Sequence, residues 1–229
     1  MLSQVNISEV LIDSEKILVS KSAKNLGVIL DSNLNMNQAV ASVRRSCYLE
    51  LRKISNIRHI LTEETVKMLV LACVISKLDY CNSLFYNITE ENMTKLQQVQ
   101  NHAARLIMKK KKRDSATPLL KHLHWLPISV RADFKICTIT YQCLNDPDYP
   151  QYLKDLVTPY QPTRSLRSTN KNQIVQPRTR LSRFGDRAFT LSSPLLWNAL
   201  PEDIKCAESL ESFKSKLKTF LFVKSFDQH

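Results

Sequence analysis

The sequence predicts a mainly α fold of the α+β kind: a helical bundle behind a small N-terminal strand remnant, with a mixed helix and hairpin region toward the C-terminus. Three observations predict it. Apolar residues recur at steps of three or four through three consecutive segments between Met36 and Ile107, the period of a helix with one buried stripe. Only two glycines, Gly27 and Gly185, occur in 229 residues, where an average composition would supply about sixteen. That scarcity disfavours a protein of many tight hairpins and removes every phosphate-cradling glycine-rich loop. Finally, strand-length apolar runs, SEVLIDSEKILVS and KNLGVILD, lie near the amino terminus, between Ile7 and Asp31. A stable sheet needs three or more strands or a helix to lie against, so these runs read as the remainder of a larger sheet.

The first helix follows in MNQAVASVRRSCYLELRKI, where Met36, Val40, Val43, Cys47, Leu51 and Ile54 share a stripe and Arg44, Arg45, Arg52 and Lys53 fall elsewhere. Thr62 ahead of Glu63 and Glu64 is an N-cap with first-turn acids, and Val66, Leu69, Val70, Cys73 and Val74 carry that second helix toward Leu78. Thr89 with Glu90 and Glu91 repeats the start signal, and Met93, Leu96, Val99, Ala103, Leu106 and Ile107 form a third face. Short connections between three such helices predict a bundle. The third helix ends in KKKKRD. Lysines in a last turn complement the helix dipole, which accounts for one or two of Lys109, Lys110, Lys111, Lys112 and Arg113. The rest read as a solvated run, with phosphate contact or a nuclear-import signal as the alternatives.

Beyond that run, ATPLLKHLHWLPISVRADFKICTITYQCL reads as a short helix, a break at Pro127 and a longer helix offering Val130, Phe134, Cys137, Ile139 and Tyr141 to a core. Pro147, Pro150, Pro159, Pro162 and Pro177 then forbid a long helix. Ser209 caps a terminal helix whose stripe is Leu210, Phe213, Leu217 and Leu221. Trp197, inside LLWNALP, reads as core rather than as a stacking platform; Phe184 and Phe189 are the aromatics nearest the arginines.

Charge narrows the function. The net charge is +12, and it is uneven: residues 1–108 hold 12 Lys+Arg against 10 Asp+Glu, residues 109–229 hold 21 against 11. Within the second half Arg164, Arg167, Lys171, Arg178, Arg180, Arg183 and Arg187 face one acid, Asp186. Such a field fits a polyanion, and the twelve cations of 109–113 and 164–187 are the candidate contacts to nucleic-acid phosphates. An acidic protein or an anionic membrane would answer to the same field. The longest unbroken apolar run, Met68 to Ile75, is far short of the roughly 20 residues a spanning helix needs. The first residues lack a secretory signal, so the chain reads as intracellular, in nucleus or cytoplasm. Six cysteines without a Cys-x-x-Cys pair read as reduced small hydrophobes, with no metal site and no cofactor. No nucleophile elbow, zinc-protease helix, P-loop or adjacent aspartate pair occurs. Asp79, among apolar neighbours in KLDYCNSLFY, reads as a hydrogen-bonded structural aspartate near a helix end.

Eight segments in register carry a resemblance: KNLGVILD, SKLDYCNSLFY, LQQVQNHAARLI, LHWLPISVRADFK, YQPTRSLRS, RFGDRAF, LWNALP and SFKSKLKTFLF. From about residue 24 nearly to the end, the chain resembles the carboxyl-terminal part of the reverse transcriptase of non-LTR (LINE-type, jockey-like) retrotransposons. The resemblance implies residual palm strands over 1–31, a helical thumb-like bundle over 32–113 that holds a template–primer duplex, and a basic C-terminal region with a terminal helix over 114–229. It also implies a catalytic palm upstream, whose tyrosine-x-aspartate-aspartate turn has no counterpart here. Asp79-Tyr80 inverts that order and takes no catalytic role, and the zinc knuckle that ends some family members is absent. The expected function is thus non-catalytic binding of RNA or DNA backbone, with a palm-containing polymerase chain as a further partner. An inactive structural or protein-interaction remnant is the alternative.

Overall fold

The computed structural model describes residues 9–13, 15–161, 172–178 and 185–226. The fold is mainly α with two small antiparallel hairpins. Strands β1 (Glu9–Ile12) and β2 (Glu15–Leu18) pair with each other, and β3 (Ser22–Asn25) pairs with β4 (Val28–Asp31). The two runs read from the sequence are therefore two hairpins. Leu26 (φ 44°) and Gly27 (φ 86°) form the two-residue turn of the second, a left-handed pair that matches strand twist and places one of the two glycines. On β1 and β2, Val10, Leu11, Ile17 and Leu18 remain exposed.

Asp31 joins the second hairpin to the bundle. Its carboxylate accepts hydrogen bonds from the backbone N–H groups of Asn33, Asn35 and Met36 at 3.0–3.1 Å and so shapes the turn that starts α1 (Asn37–Ile57). Val40, Cys47, Leu51 and Ile54 are buried on α1 and Met36 at its left-handed N-cap, with Val43 partly buried, which is the stripe the spacing predicts. Helix α2 (Glu63–Val70) opens on Thr62, whose side chain accepts from Thr65 N–H at 3.2 Å. It continues through a π-helical turn, Leu71–Ile75, into α3 (Ser76–Asp79). A 3-10 turn, Asn82–Phe85, precedes α4 (Glu90–Ile107). Thr89 stands at the N-cap position of α4, but its side chain makes no capping bond.

Helices α1 and α4 lie parallel. At their starts Asn92 donates to Asn37 Oδ1 at 2.7 Å, and at their ends Arg58 donates to Leu106 O and Ile107 O. The first core lies among α1 to α4 and takes in Leu119, Leu120, Leu123, Trp125 and Ile128 as well, so it reaches past residue 113. Helix α5 (Thr117–His122) and α6 (Ile128–Asn145) are separated at Pro127 as expected. Gln97 and Gln100 tie α4 to that break, accepting from Ile128 N–H and donating to Leu126 O at 2.9 Å each.

A second core gathers α6, α8 (Phe189–Asn198), α9 (Glu202–Lys205) and α10 (Leu210–Phe226), after the short α7 (Gln151–Lys154). Trp197 is buried there, stacks on Phe213 and donates Nε1–H to Asn172 O at 2.8 Å. Ser209 caps α10 through Ser212 N–H at 3.2 Å. An antiparallel bridge pairs Pro159 with Ile174. All six cysteines are free, and burial pushes the Cys47 and Cys143 thiols up to about 11. No helix among the described residues is long and apolar enough to cross a membrane.

Candidate nucleic-acid interface

The lysine run is held in a defined shape at the end of α4. Lys109 adopts the left-handed conformation (φ 50°), Lys110 N–H donates to Arg105 O at 2.9 Å and Met108 N–H to Ala104 O at 3.1 Å. This places a left-handed residue just past the helix, with the next N–H reaching back to the third-last carbonyl, the Schellman arrangement with lysine where glycine is usual. Asp114 then closes the loop. Its carboxylate accepts from Lys111 N–H at 2.7 Å, its N–H returns to Lys111 O at 3.0 Å, and its carbonyl accepts from Arg105 Nε at 2.8 Å. Lys109, Lys110, Lys111, Lys112 and Arg113 are all exposed, and none is paired with a carboxylate among the described residues. The run is thus solvated, as its composition predicts, and ordered by one acid.

The carbonyls that end α4 are capped from within. Arg58, only 8% exposed, donates to Leu106 O, Ile107 O and Leu61 O at 2.9–3.0 Å. A helix C-terminus carries partial negative charge that repels anions; here a buried guanidinium offsets it, and the exposed lysines face outward.

Beside the run is a recess of about 440 Å³ lined by Tyr48 and Ser55 from α1, His102 and Arg105 from α4, and Lys110 and Lys112. Tyr48 and His102 meet edge to face, with centroids 5.6 Å apart, and the Arg44 guanidinium lies 5.6 Å over the Tyr48 ring. Burial, with the Arg105 and Lys112 charges beside it, holds the His102 imidazole below its ordinary pKa. Cations and aromatics together are what a nucleic-acid strand meets in a sequence-tolerant groove.

The later basic window is distributed differently. Arg164, Arg167, Lys171, Arg180 and Arg183, with Phe184, lie outside the described residues. Arg178 is exposed beside a shallow recess that also contains Asp186. Arg187 is turned inward: it donates to Leu34 O at 2.5 Å, Leu84 O at 3.0 Å and Tyr86 O at 3.3 Å. Its fork is occupied by backbone carbonyls at the end of the bundle where α1 and α4 begin. The eighteen residues of α4, at about 1.5 Å of rise each, separate that end from the lysine run by roughly 27 Å. Arg187 and the run therefore share no strip.

Sequence reasoning missed Arg44, Tyr48, His102 and Arg105 as parts of one site. The i, i+4 spacing of Arg44 and Tyr48 and the i, i+3 spacing of His102 and Arg105 put each pair on one helix face, but only the parallel packing of α1 on α4 joins them. Asp79 is structural as expected. Both its oxygens accept from Arg131 Nη1, at 2.9 and 2.7 Å, while Arg131 Nε donates to Leu126 O. Among the described residues, no group of three or more His, Cys, Asp or Glu stands where it could hold a metal ion.

Neither a protein-family profile, nor a curated protein, nor a solved structure matches this chain.

Proposed function

We propose that the chain binds nucleic-acid backbone, RNA or a template–primer duplex, as a non-catalytic piece of a retroelement RNA-directed DNA polymerase of the non-LTR type. The observation that carries the reading is the α4 end, where five exposed cations have no carboxylate partner among the described residues and two of them, Lys110 and Lys112, line a recess that holds two aromatic rings. The eight sequence landmarks supply the family half of it. Contacts of this kind go to phosphates, so they position a strand without reading its bases. A palm-containing polymerase chain is the partner that the resemblance implies for the exposed hairpin β1–β2, and nucleus or cytoplasm is where such a protein would act.

Fluorescence anisotropy with an RNA–DNA hybrid between 50 and 200 mM salt tests this. Five phosphate contacts give a slope of log affinity on log salt of about −4 to −5. Replacing Lys110, Lys112 and Arg113 together by alanine should flatten it by about 3, at about 0.9 per contact. No measurable affinity at the lowest salt refutes the reading in favour of an inert remnant, and an unchanged slope in the triple variant removes the run from the interface.

A further inference from the structure

We propose that the recess between α1 and α4 is a seat for one nucleoside monophosphate unit, free or at the end of a strand, with its phosphate on Arg105, Lys110 and Lys112 and its base against Tyr48 and His102. This rests on the nucleic-acid reading above and deepens it from a charged surface to a defined subsite. The volume, about 440 Å³, falls in the range of small-ligand sites, roughly 300–1,000 Å³. It is generous for an inorganic phosphate and far too small for a duplex.

The lining offers both of the chemistries that a nucleotide needs. Three cations stand in it. Arg105 uses Nε on Asp114 O, and its terminal nitrogens have no partner among the described residues; those two parallel N–H donors suit two phosphate oxygens. Lys110 and Lys112 add point charges from the loop that Asp114 fixes. The Tyr48 and His102 rings in the same lining offer a π surface, with the Arg44 guanidinium 5.6 Å from the Tyr48 centroid. An anion at this place would ordinarily meet the negative end of α4, and Arg58 has occupied those carbonyls.

His102 makes the seat readable. The groups that face it are Tyr48, and through it Arg44, from α1, Arg105 from α4, and Lys110 and Lys112 from the loop; no carboxylate lines the recess. In the free protein the cations and burial disfavour the imidazolium. A dianionic phosphate placed among them offsets most of that positive charge and so relieves the repulsion on the imidazolium, so ligand binding takes up a proton at His102 and tightens as pH falls from 8 toward 6.

The test uses the whole chain and NMR detection of the His102 ring protons through a pH titration, alone and with adenosine monophosphate, inorganic phosphate, or an oligonucleotide with or without a 5′-phosphate. With saturating nucleotide the His102 midpoint should rise by about one pH unit, the effect of an opposite charge at close range. Nucleotide should bind at least about tenfold more tightly than inorganic phosphate, since stacking adds to the ionic contact. Tyr48→Ala should remove that preference, and His102→Gln, which leaves α1 untouched, should remove the pH dependence. A gain from the 5′-phosphate on the oligonucleotide identifies a strand end as the source; mononucleotide binding without that gain identifies a free nucleotide. Equal affinity for phosphate and nucleotide, or an unmoved His102 midpoint under saturating nucleotide, overturns the subsite. If either occurs while the hybrid still binds with a steep salt slope, the backbone reading stands alone; if the hybrid also fails to bind, both fall.

Discussion

Arg187 separates two accounts of a basic residue, as a phosphate contact or as an internal clamp, and its replacement by alanine tells them apart. In the structure its guanidinium donates to three carbonyls that belong to the turns before α1 and α4. The Tyr86 bond is part-buried, and the bonds to Leu34 and Leu84 are exposed. Removing the side chain strands the Tyr86 carbonyl, which costs about 1–3 kcal/mol, while the two exposed carbonyls regain water and lose about 0.5–1 kcal/mol each. The sum is a loss of about 2–5 kcal/mol. With an m-value of about 2 kcal/mol per molar in urea, the midpoint should fall by about 1–2.5 M. Arg187→Lys should recover little, because an ammonium on a flexible stem cannot hold three carbonyls in the plane of a fork. Hybrid binding, measured under folded conditions, should keep its salt slope. The reasoning is refuted if Arg187→Ala leaves the urea midpoint unchanged and flattens the slope by about 1, the signature of one lost phosphate contact.

Two further perturbations follow from the same structure. Arg58→Met should cost at least about 3 kcal/mol in urea unfolding, since three carbonyls lose a charged donor; a loss below 1 kcal/mol would show that water replaces the guanidinium there. Burial raises the Asp133 carboxyl from 3.8 to about 6, with Lys224 opposing. Between about pH 4 and 6 the unfolded carboxyl ionises while the folded one stays protonated, so the penalty is absent below about pH 4, grows through that window and is complete above it; two pH units amount to about 3 kcal/mol. Asp133→Asn should therefore stabilise by up to that amount at pH 8 and hardly at all at pH 4, and an equal gain at both would contradict this.

What the sequence made legible was local. The stripe from Met36 to Ile54 follows from one helical period, and the caps at Thr62 and Ser209 follow from a hydroxyl next to an orphan N–H three residues on. Asp79 was legible in kind, because a carboxylate among apolar neighbours needs a partner, although Arg131 lies 52 residues away. The two clamps were not legible. Arg58 and Arg187 bind backbone carbonyls up to 49 and 153 residues distant, and a carbonyl has no letter in the sequence. For the same reason the basic window around Arg187 looked uniform, and the Tyr48–His102 recess stayed hidden until α1 and α4 were seen to run parallel.

This division bears on how far a net charge of +12 predicts binding. Arg58, Arg131 and Arg187 each satisfy carbonyls or an acid inside the fold, a task suited to a planar, weakly hydrated fork with five donors. The exposed lysines of 109–112 make no such bonds and keep their hydration until a ligand displaces it. Arg187 gives its hydrogen bonds to carbonyls, which supply only partial charges, and feels the Asp31 carboxylate nearby, so part of its charge still contributes to the long-range field that draws a polyanion toward the surface. It cannot contribute a contact that must break on release. Charge counted along the chain thus bears on the association rate, whereas the dissociation rate is set by the few cations left unoccupied at the end of α4. Alanine at Arg187 should slow association slightly and leave dissociation alone, and alanine at Lys110 and Lys112 should accelerate dissociation.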